Sequence, residues 1–254
     1  MAVQEVFKRV EKKYIVTAQQ QEELTRLMAG EVAADAYGLT TICNIYYDTP
    51  EHRLIRTSME KPVYKEKLRV RSYGVPDKDG KVFVELKKKY KGIVYKRRVD
   101  MSLIESYEFL NFGLAPGKNP QIEKEISYFM SFYKGIAPRM YLSYDRIAFA
   151  GINDPELRMT FDSDLTYRED ELRLEKGSWG EKLLRPDQRI MEVKIPGAMP
   201  LWMSRIFDDL GIYPGSFSKY GEAYKSVFTN ALNSDKALKV NENENGKGTV
   251  NHCA

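Results

Sequence analysis

Between Lys65 and Arg71 every second residue is a cation: Lys65, Lys67, Arg69 and Arg71, with the apolar Leu68 and Val70 set between them. Alternate side chains of a strand point to opposite faces, so such a segment has a charged side and an apolar side. The habit recurs along the chain. Val82, Val84 and Leu86 alternate with Glu85, Lys87 and Lys89, and Lys96 and Arg98 share one side of the next segment. Leu157, Met159 and Phe161 alternate with Arg158, Thr160, Asp162 and Asp164. Met191, Val193 and Ile195 alternate with Glu192 and Lys194, and Arg9, Glu11 and Lys13 share a side near the start.

One such strand is ordinary, because antiparallel sheets commonly keep one face wet. Six are harder to read that way. Arg9, Lys13, Lys65, Lys67, Arg69, Arg71, Lys87, Lys89, Lys96, Arg98, Arg146, Arg158 and Lys194 are thirteen cations, against the five acids Glu11, Glu85, Asp162, Asp164 and Glu192. A surface selected for solubility mixes signs more evenly, and like charges opposite each other weaken a sheet. Such a face calls for an anion. The expected fold is α+β: a closed or nearly closed antiparallel β-barrel with helices outside, in which the cations converge in a tunnel and their field is focused.

The net charge of +4 is modest, so placement rather than total charge carries this argument. The two cysteines, Cys43 and Cys253, form no disulfide framework and suit a reducing compartment. The charged N-terminus lacks the apolar core of a signal peptide, and no apolar run approaches the ~20 residues of a membrane span. A cytoplasmic protein is expected, with one domain over residues 1–232 and a disordered polar tail over 233–254. Helix signals punctuate the body. Thr17 with Gln20, and Ser102 with Glu105, have capping-box spacing, with stops expected at Gly30 and Gly113. Pro120 opens a third helix ending at Gly135; Leu201–Leu210 and Ser218–Leu232 give two more.

A triphosphate or phosphate chain suits the charged face, since its many oxygens accept Arg forks and Lys point charges. Its Mn²⁺ or Mg²⁺ needs one or two carboxylates, the rest of the shell being water and phosphate. Glu192 and Glu85 are the candidates; for Glu85 an internal ion pair with a neighbouring cation is the equal alternative. In Ser216-Phe217-Ser218-Lys219-Tyr220-Gly221, Ser218 can cap the following helix and offer an anion its free N–H groups. Lys219 in that first turn opposes the helix dipole, a cost a bound phosphate would relieve. Removing it is expected not to harm the stability of the empty protein.

Glu11-Lys12-Lys13-Tyr14, Tyr46-Tyr47-Asp48-Thr49, Lys67-Leu68-Arg69-Val70-Arg71, Val84-Glu85-Leu86-Lys87, Tyr144-Asp145-Arg146, Leu157 to Asp162, Met191-Glu192-Val193-Lys194 and Phe217 to Tyr220 occur in that order. Together they resemble the polyphosphate polymerase domain of the vacuolar transporter chaperone proteins, within the triphosphate tunnel (CYTH-like) superfamily. The resemblance implies ATP and a growing polyphosphate chain as ligands. By motif position it implies Lys219, Lys13, Lys87 and Arg146 around the transferred group. Arg69, Arg71, Lys96, Arg158 and Ser218 fall at phosphate-binding positions, with Lys67 and Lys89 on the same strand faces, and Glu192 at the metal-binding position. Hydrolytic members of the superfamily begin with Glu-x-Glu-x-Lys; here the strand reads Arg9-x-Glu11-x-Lys13, which argues against simple triphosphate hydrolysis. The regulatory and membrane-spanning parts of eukaryotic relatives are not expected in this domain. A non-catalytic phosphate-chain-binding module, and a triphosphatase or cyclase on the same fold, are the other readings. Nucleic acid is not an expected partner, because the cations lie inside a tunnel and not along a convex stripe.

Overall fold

The computed structural model describes residues 9–229. The side chain of Arg9 and the expected polar tail, 233–254, lie outside the described residues. The chain runs β1 (Arg9–Thr17), α1 (Ala18–Leu27), β2 (Val32–Ala34), β3 (Thr40–Asp48), α2 (Arg53–Met59), β4 (Tyr64–Tyr73), β5 (Lys81–Tyr90), β6 (Ile93–Ser102), α3 (Leu103–Phe112) and α4 (Pro120–Phe132). It continues β7 (Ala137–Gly151), β8 (Arg158–Arg168), β9 (Glu181–Lys182), β10 (Gln188–Pro196), α5 (Leu201–Asp209) and α6, over residues 219–229.

Local signals explain the helix starts. Thr17 and Gln20 exchange side-chain-to-backbone bonds of 2.9 and 3.0 Å, and Ser102 and Glu105 do the same at 2.7 and 3.2 Å. Pro120 stands at the head of α4, where Asn119 accepts from the Ile122 N–H at 3.2 Å. Two helices stop short of the glycines expected to end them. The N–H groups of Met28 and Tyr133 close onto Leu24 and Phe129, so α1 and α4 end before Gly30 and Gly135. The short α2 carries no capping signature in sequence; its first N–H groups are held from outside, by the buried Asp48 carboxylate, which accepts from Leu54 at 2.8 Å and Ile55 at 3.0 Å.

Eight strands pair antiparallel in the order β1-β10-β8-β7-β3-β4-β5-β6, with β2 and β9 attached to β7 and β8. β1 and β6 are the two ends of this path, so hydrogen bonds do not close the sheet into a barrel. It curls nonetheless. A flat sheet would hold β1 and β5 about 29 Å apart, six steps of about 4.8 Å, yet Lys87 of β5 feels the charges of Glu11 and Lys13 of β1 and Glu192 of β10.

One face of the sheet is apolar. Leu68, Val70, Val82, Val84 and Leu86 are buried against α3 and α4, and Tyr14, Met159, Phe161, Met191 and Val193 against α1 and α5. The other face is mixed. Part of it is apolar, where Ile42, Tyr46, Leu142, Tyr144 and Ile190 pack on Tyr220 and Ala223 of α6. The rest is charged, and α6, seated on that face, carries Lys219 to its border.

Candidate functional site

Strand register sets the charged residues side by side. Lys13 lies opposite Glu192, which lies opposite Thr160, while Arg146 lies opposite Asp162. Lys219 enters from the first turn of α6, its Nζ 2.6 Å from Asp162 Oδ2 and 3.1 Å from Glu192 Oε1. Asp162 is fully buried and also accepts both Nε and Nη2 of Arg146, at 2.5 and 2.7 Å. Glu192 Oε1 accepts from Lys13 Nζ at 2.9 Å. Each carboxylate is thus shared by two cations, and Lys219 joins them. The Tyr144 ring backs the group, 5.1 Å from the Arg146 guanidinium carbon and 4.8 Å from Lys219 Nζ.

Burial works to raise the Glu192 carboxyl, but Lys219, Lys13 and Arg146 outweigh it and hold it well below the usual carboxylate range. Burial likewise opposes the Lys219 charge, and Asp162 and Glu192 overcome it, holding the ammonium above its ordinary value. The expectation that Lys219 waits uncompensated for a phosphate is therefore corrected. Two carboxylates already answer its charge, and its removal would leave each with a single cation.

A second group surrounds Glu85, which is 1% exposed. Arg69 reaches its Oε2 at 2.6 Å, while Lys96 and Arg98 reach Oε1 at 2.7 and 3.0 Å. Burial would raise this carboxyl, yet Arg69, Arg71 and Lys96 push it down to about 2. With three cations on its two oxygens, Glu85 takes the ion-pair reading and is not open to a metal. Glu192 differs: both ammonium groups sit on Oε1, and among the described residues no ion pair falls on Oε2, the oxygen a divalent cation would use. Among the described residues no three acidic, histidine or cysteine side chains gather as a protein-only metal cage. Arg71 donates to Asn44 Oδ1 at 3.0 Å and to the Tyr144 hydroxyl at 3.1 Å, and Arg69 to the Tyr46 hydroxyl at 3.2 Å.

The third group has no acids. Lys67 stands directly opposite Lys87, and Lys65 opposite Lys89. Lys67 donates to Ser218 Oγ at 3.2 Å, and Lys65 to the Ser58 carbonyl at 3.1 Å. Burial, with Lys65, Lys87 and Lys13 nearby, brings the Lys67 ammonium down to about 8. Burial also lowers Lys87, helped by Arg69 and Lys13, and lowers Lys65, helped by Lys89 and Lys61. Ser218 accepts from the Gly221 N–H at 3.3 Å, capping α6.

Arg158 is exposed and lies opposite Lys194, at the start of β8 and four residues before Asp162. Asp164 leaves the pattern. The β7–β8 register shifts between Ser143 and Asp145, Asp164 takes a φ of 51°, and its carboxylate pairs with Lys182 in solvent. In sequence Asp162 counts only as one acid of the charged face, Tyr46 and Tyr144 only as motif members, and Asn44 is not marked. Their parity was the available signal: Tyr144 stands two residues before Arg146, and Asn44 and Tyr46 lie opposite Arg71 and Arg69.

No curated protein sequence matches this chain. Two solved structures share the fold at 13% identity: a Bacillus halodurans protein assigned as an adenylate cyclase, and a Hippeastrum protein assigned as an adenylyl cyclase with a dominant triphosphatase activity. Their TM-scores are 0.52 and 0.54, over 83% and 84% of this chain and 93% of each of theirs. The VTC domain model matches residues 8–228, nearly all that the structure describes. The chain belongs to the VTC domain family, on the fold of the triphosphate tunnel proteins.

Proposed function

We propose that this domain is a polyphosphate polymerase. A terminal oxygen of the polyphosphate chain attacks the γ-phosphorus of ATP, the bond to the β-phosphate oxygen breaks, and ADP leaves. The observation that carries the reading is the adjacency of two kinds of cation. Lysines with no carboxylate within 4 Å among the described residues (Lys65, Lys67, Lys87, Lys89) would form a track for a long anion. Beside them, Lys219, Arg146 and Lys13 are fixed in place by Asp162 and Glu192.

Phosphoryl transfer depends on alignment and on answering charge as it develops. Arg69, Arg71, Lys96 and Arg158 would hold phosphates along the path, with Ser218 and the first N–H groups of α6 beside Lys67. Lys219, Arg146, Lys13 and Lys87 would face the transferred group. A divalent cation, Mn²⁺ or Mg²⁺, would be held by Glu192 and would supply positive charge to the bound phosphates. The protein's own contribution is rigidity: donors already fixed by carboxylates need little rearrangement during the reaction.

One observation favours a second reading. Glu192 has two ammonium partners, so its charge is answered without metal, as a non-catalytic phosphate-chain-binding module would allow. A single assay separates the readings: purified protein with ATP and Mn²⁺ or Mg²⁺, scored for polyphosphate, free phosphate and cyclic nucleotide. Polyphosphate with equimolar ADP is expected. Free phosphate alone identifies a triphosphatase; tight polyphosphate binding without elongation under either metal leaves the binding module.

A further inference from the structure

The end of the sheet where β5 turns into β6 is not built like the rest of the surface. Tyr90-Lys91-Gly92-Ile93 is a two-residue hairpin, Lys91 and Gly92 both at positive φ (46° and 85°), the mirror-image turn that suits strand twist. Beside it runs the segment leading into β4, its Val63 carbonyl accepting from the Lys91 N–H at 3.0 Å. Six apolar or aromatic residues stand in solvent at this one end: Val63, Tyr64, Tyr90, Ile93, Val94 and Tyr95. Val63 is 63% and Ile93 57% exposed. A cluster of this kind is more than the scattered exposed residues of an ordinary surface.

Cations ring the cluster. Lys61 and Lys89 are close enough to Lys65 to lower its pKa, Lys91 sits 5.5 Å from the Tyr90 ring, and Lys88 lies opposite Tyr95. Lys88 reaches Glu66 at 3.7 Å and Arg97 reaches Glu125 at 3.1 Å; among the described residues Lys61, Lys65, Lys89 and Lys91 have no acidic side chain within 4 Å. We propose that this hairpin end docks on an anionic lipid bilayer, its tyrosines and aliphatic side chains entering the interface and its lysines meeting the headgroups.

Charge and chemistry choose the occupant. A second copy of the same end would set lysine against lysine, which disfavours a self-complementary contact. Nucleic acid would use the lysines and stack on the tyrosines but gives Val63, Ile93 and Val94 nothing to bury in. A bilayer interface takes all three kinds of side chain: aliphatic groups in the acyl boundary, tyrosine at headgroup level, and lysine stems reaching outward. Each lysine near an anionic leaflet adds about 1 kcal/mol, roughly fivefold in partition. Because Lys65 and Lys89 lie on the charged face at this same end, docking would set the lysine track against the membrane surface. The inference concerns the outer tip and stands whether or not the domain polymerises phosphate.

Vesicle sedimentation of the full chain tests it, with phosphatidylcholine alone and with about 30% phosphatidylserine added. Binding to the anionic vesicles is expected, weakening as salt screens it, with little binding to the neutral ones. Tyr90→Ser with Ile93→Ser should cut the partition about tenfold or more. So should Lys61→Asn with Lys91→Asn, about fivefold for each charge; asparagine suits the positive φ that both lysines adopt. Melting curves like the parent's show that both pairs fold. Saturating tripolyphosphate, a probe for the inner cations, should leave in place the vesicle binding that the apolar tip, Lys61 and Lys91 provide. Three results overturn the proposal: no binding to anionic vesicles, release of the protein by tripolyphosphate, or tip variants that bind vesicles like the parent. Tip variants that lose affinity for a single-stranded RNA oligomer while keeping vesicle binding also overturn it and point to nucleic acid.

Discussion

On one side of the charged face, Asp162 and Glu192 share Arg146, Lys13 and Lys219, and each cation is fixed by a carboxylate at 3.1 Å or less. On the other side, Lys67 faces Lys87 and Lys65 faces Lys89 across neighbouring strands, with no carboxylate within 4 Å among the described residues. The same residue type is used in two opposite ways. In the first group the protein supplies the anions and gains fixed geometry. In the second it leaves like charges opposed, a local cost that a bound anion removes. The contrast predicts that substitutions in the two groups shift stability in opposite directions.

Lys219→Ala should give the largest effect. It leaves the buried Asp162 and the part-buried Glu192 with one cation each. Because neither is left uncompensated, the cost should stay below the roughly 3–5 kcal/mol of a fully broken buried pair, at about 1–3 kcal/mol. Chemical denaturation should show that loss together with loss of turnover. A variant as stable as the parent would mean that the cluster is not held by its ion pairs. Glu192→Gln keeps the shape and removes the charge. Metal-dependent polyphosphate synthesis should fall by about 100-fold or more, while metal-free polyphosphate binding stays or tightens. Unchanged turnover at saturating metal would end the metal-ligand assignment.

The lysine track should answer in the other direction. Lys67→Met or Lys87→Met removes one member of an opposed pair and should raise the stability of the empty protein by about 0.2–1 kcal/mol. Tripolyphosphate affinity, measured calorimetrically, should fall several-fold. If both variants lose stability as Lys219→Ala does, the two groups are one network and the comparison fails. The smallest effect is a pH dependence. Lys67 titrates at about 8 in the folded protein, against about 10.4 unfolded. Between those values the unfolded chain binds the extra proton, so stability should rise with pH across that window. Anion affinity should decline over the same range, and Lys67→Met should flatten the stability rise. Glu192 runs the same way at acid pH: its folded carboxyl is depressed, so its contribution is present above about pH 4.3 and is lost as acid protonates it.

Parity made much of this legible. Val82, Val84 and Leu86 are buried together on one face, and Lys65, Lys67, Arg69 and Arg71 lie on the other, because a strand with one apolar side has one way to bury it. Capping boxes gave the starts of α1 and α3 because the signal is local. What sequence could not supply was pairing across long separations. Asp162 meets Lys219 only after α6 docks, and nothing near either residue marks the other. Glu85 was equally readable as ligand or ion pair until Arg69, Lys96 and Arg98 were seen around it. Asp164 left its face because of a β-bulge, which alternation cannot foresee. Closure of the barrel depended on whether β1 meets β6, and no pattern within either strand encodes that.

The position of α6 has a consequence for how the protein is made. It is the last described element, and Lys219 in its first turn is what joins Asp162 to Glu192. A ribosome releases the eight strands before it releases this helix, so the sheet can pair while its acidic pockets lack their shared cation. The Tyr220 hydroxyl, one residue on, donates to Asp48 at 3.1 Å, the carboxylate that already organises the start of α2. Docking of α6 therefore fastens the chain's late segment to an early one in the same step that completes the charged cluster. A nascent chain stalled before residue 219 would carry the strands and the Arg146–Asp162 and Lys13–Glu192 pairs without the lysine that joins them, and the complete cluster would arrive with α6.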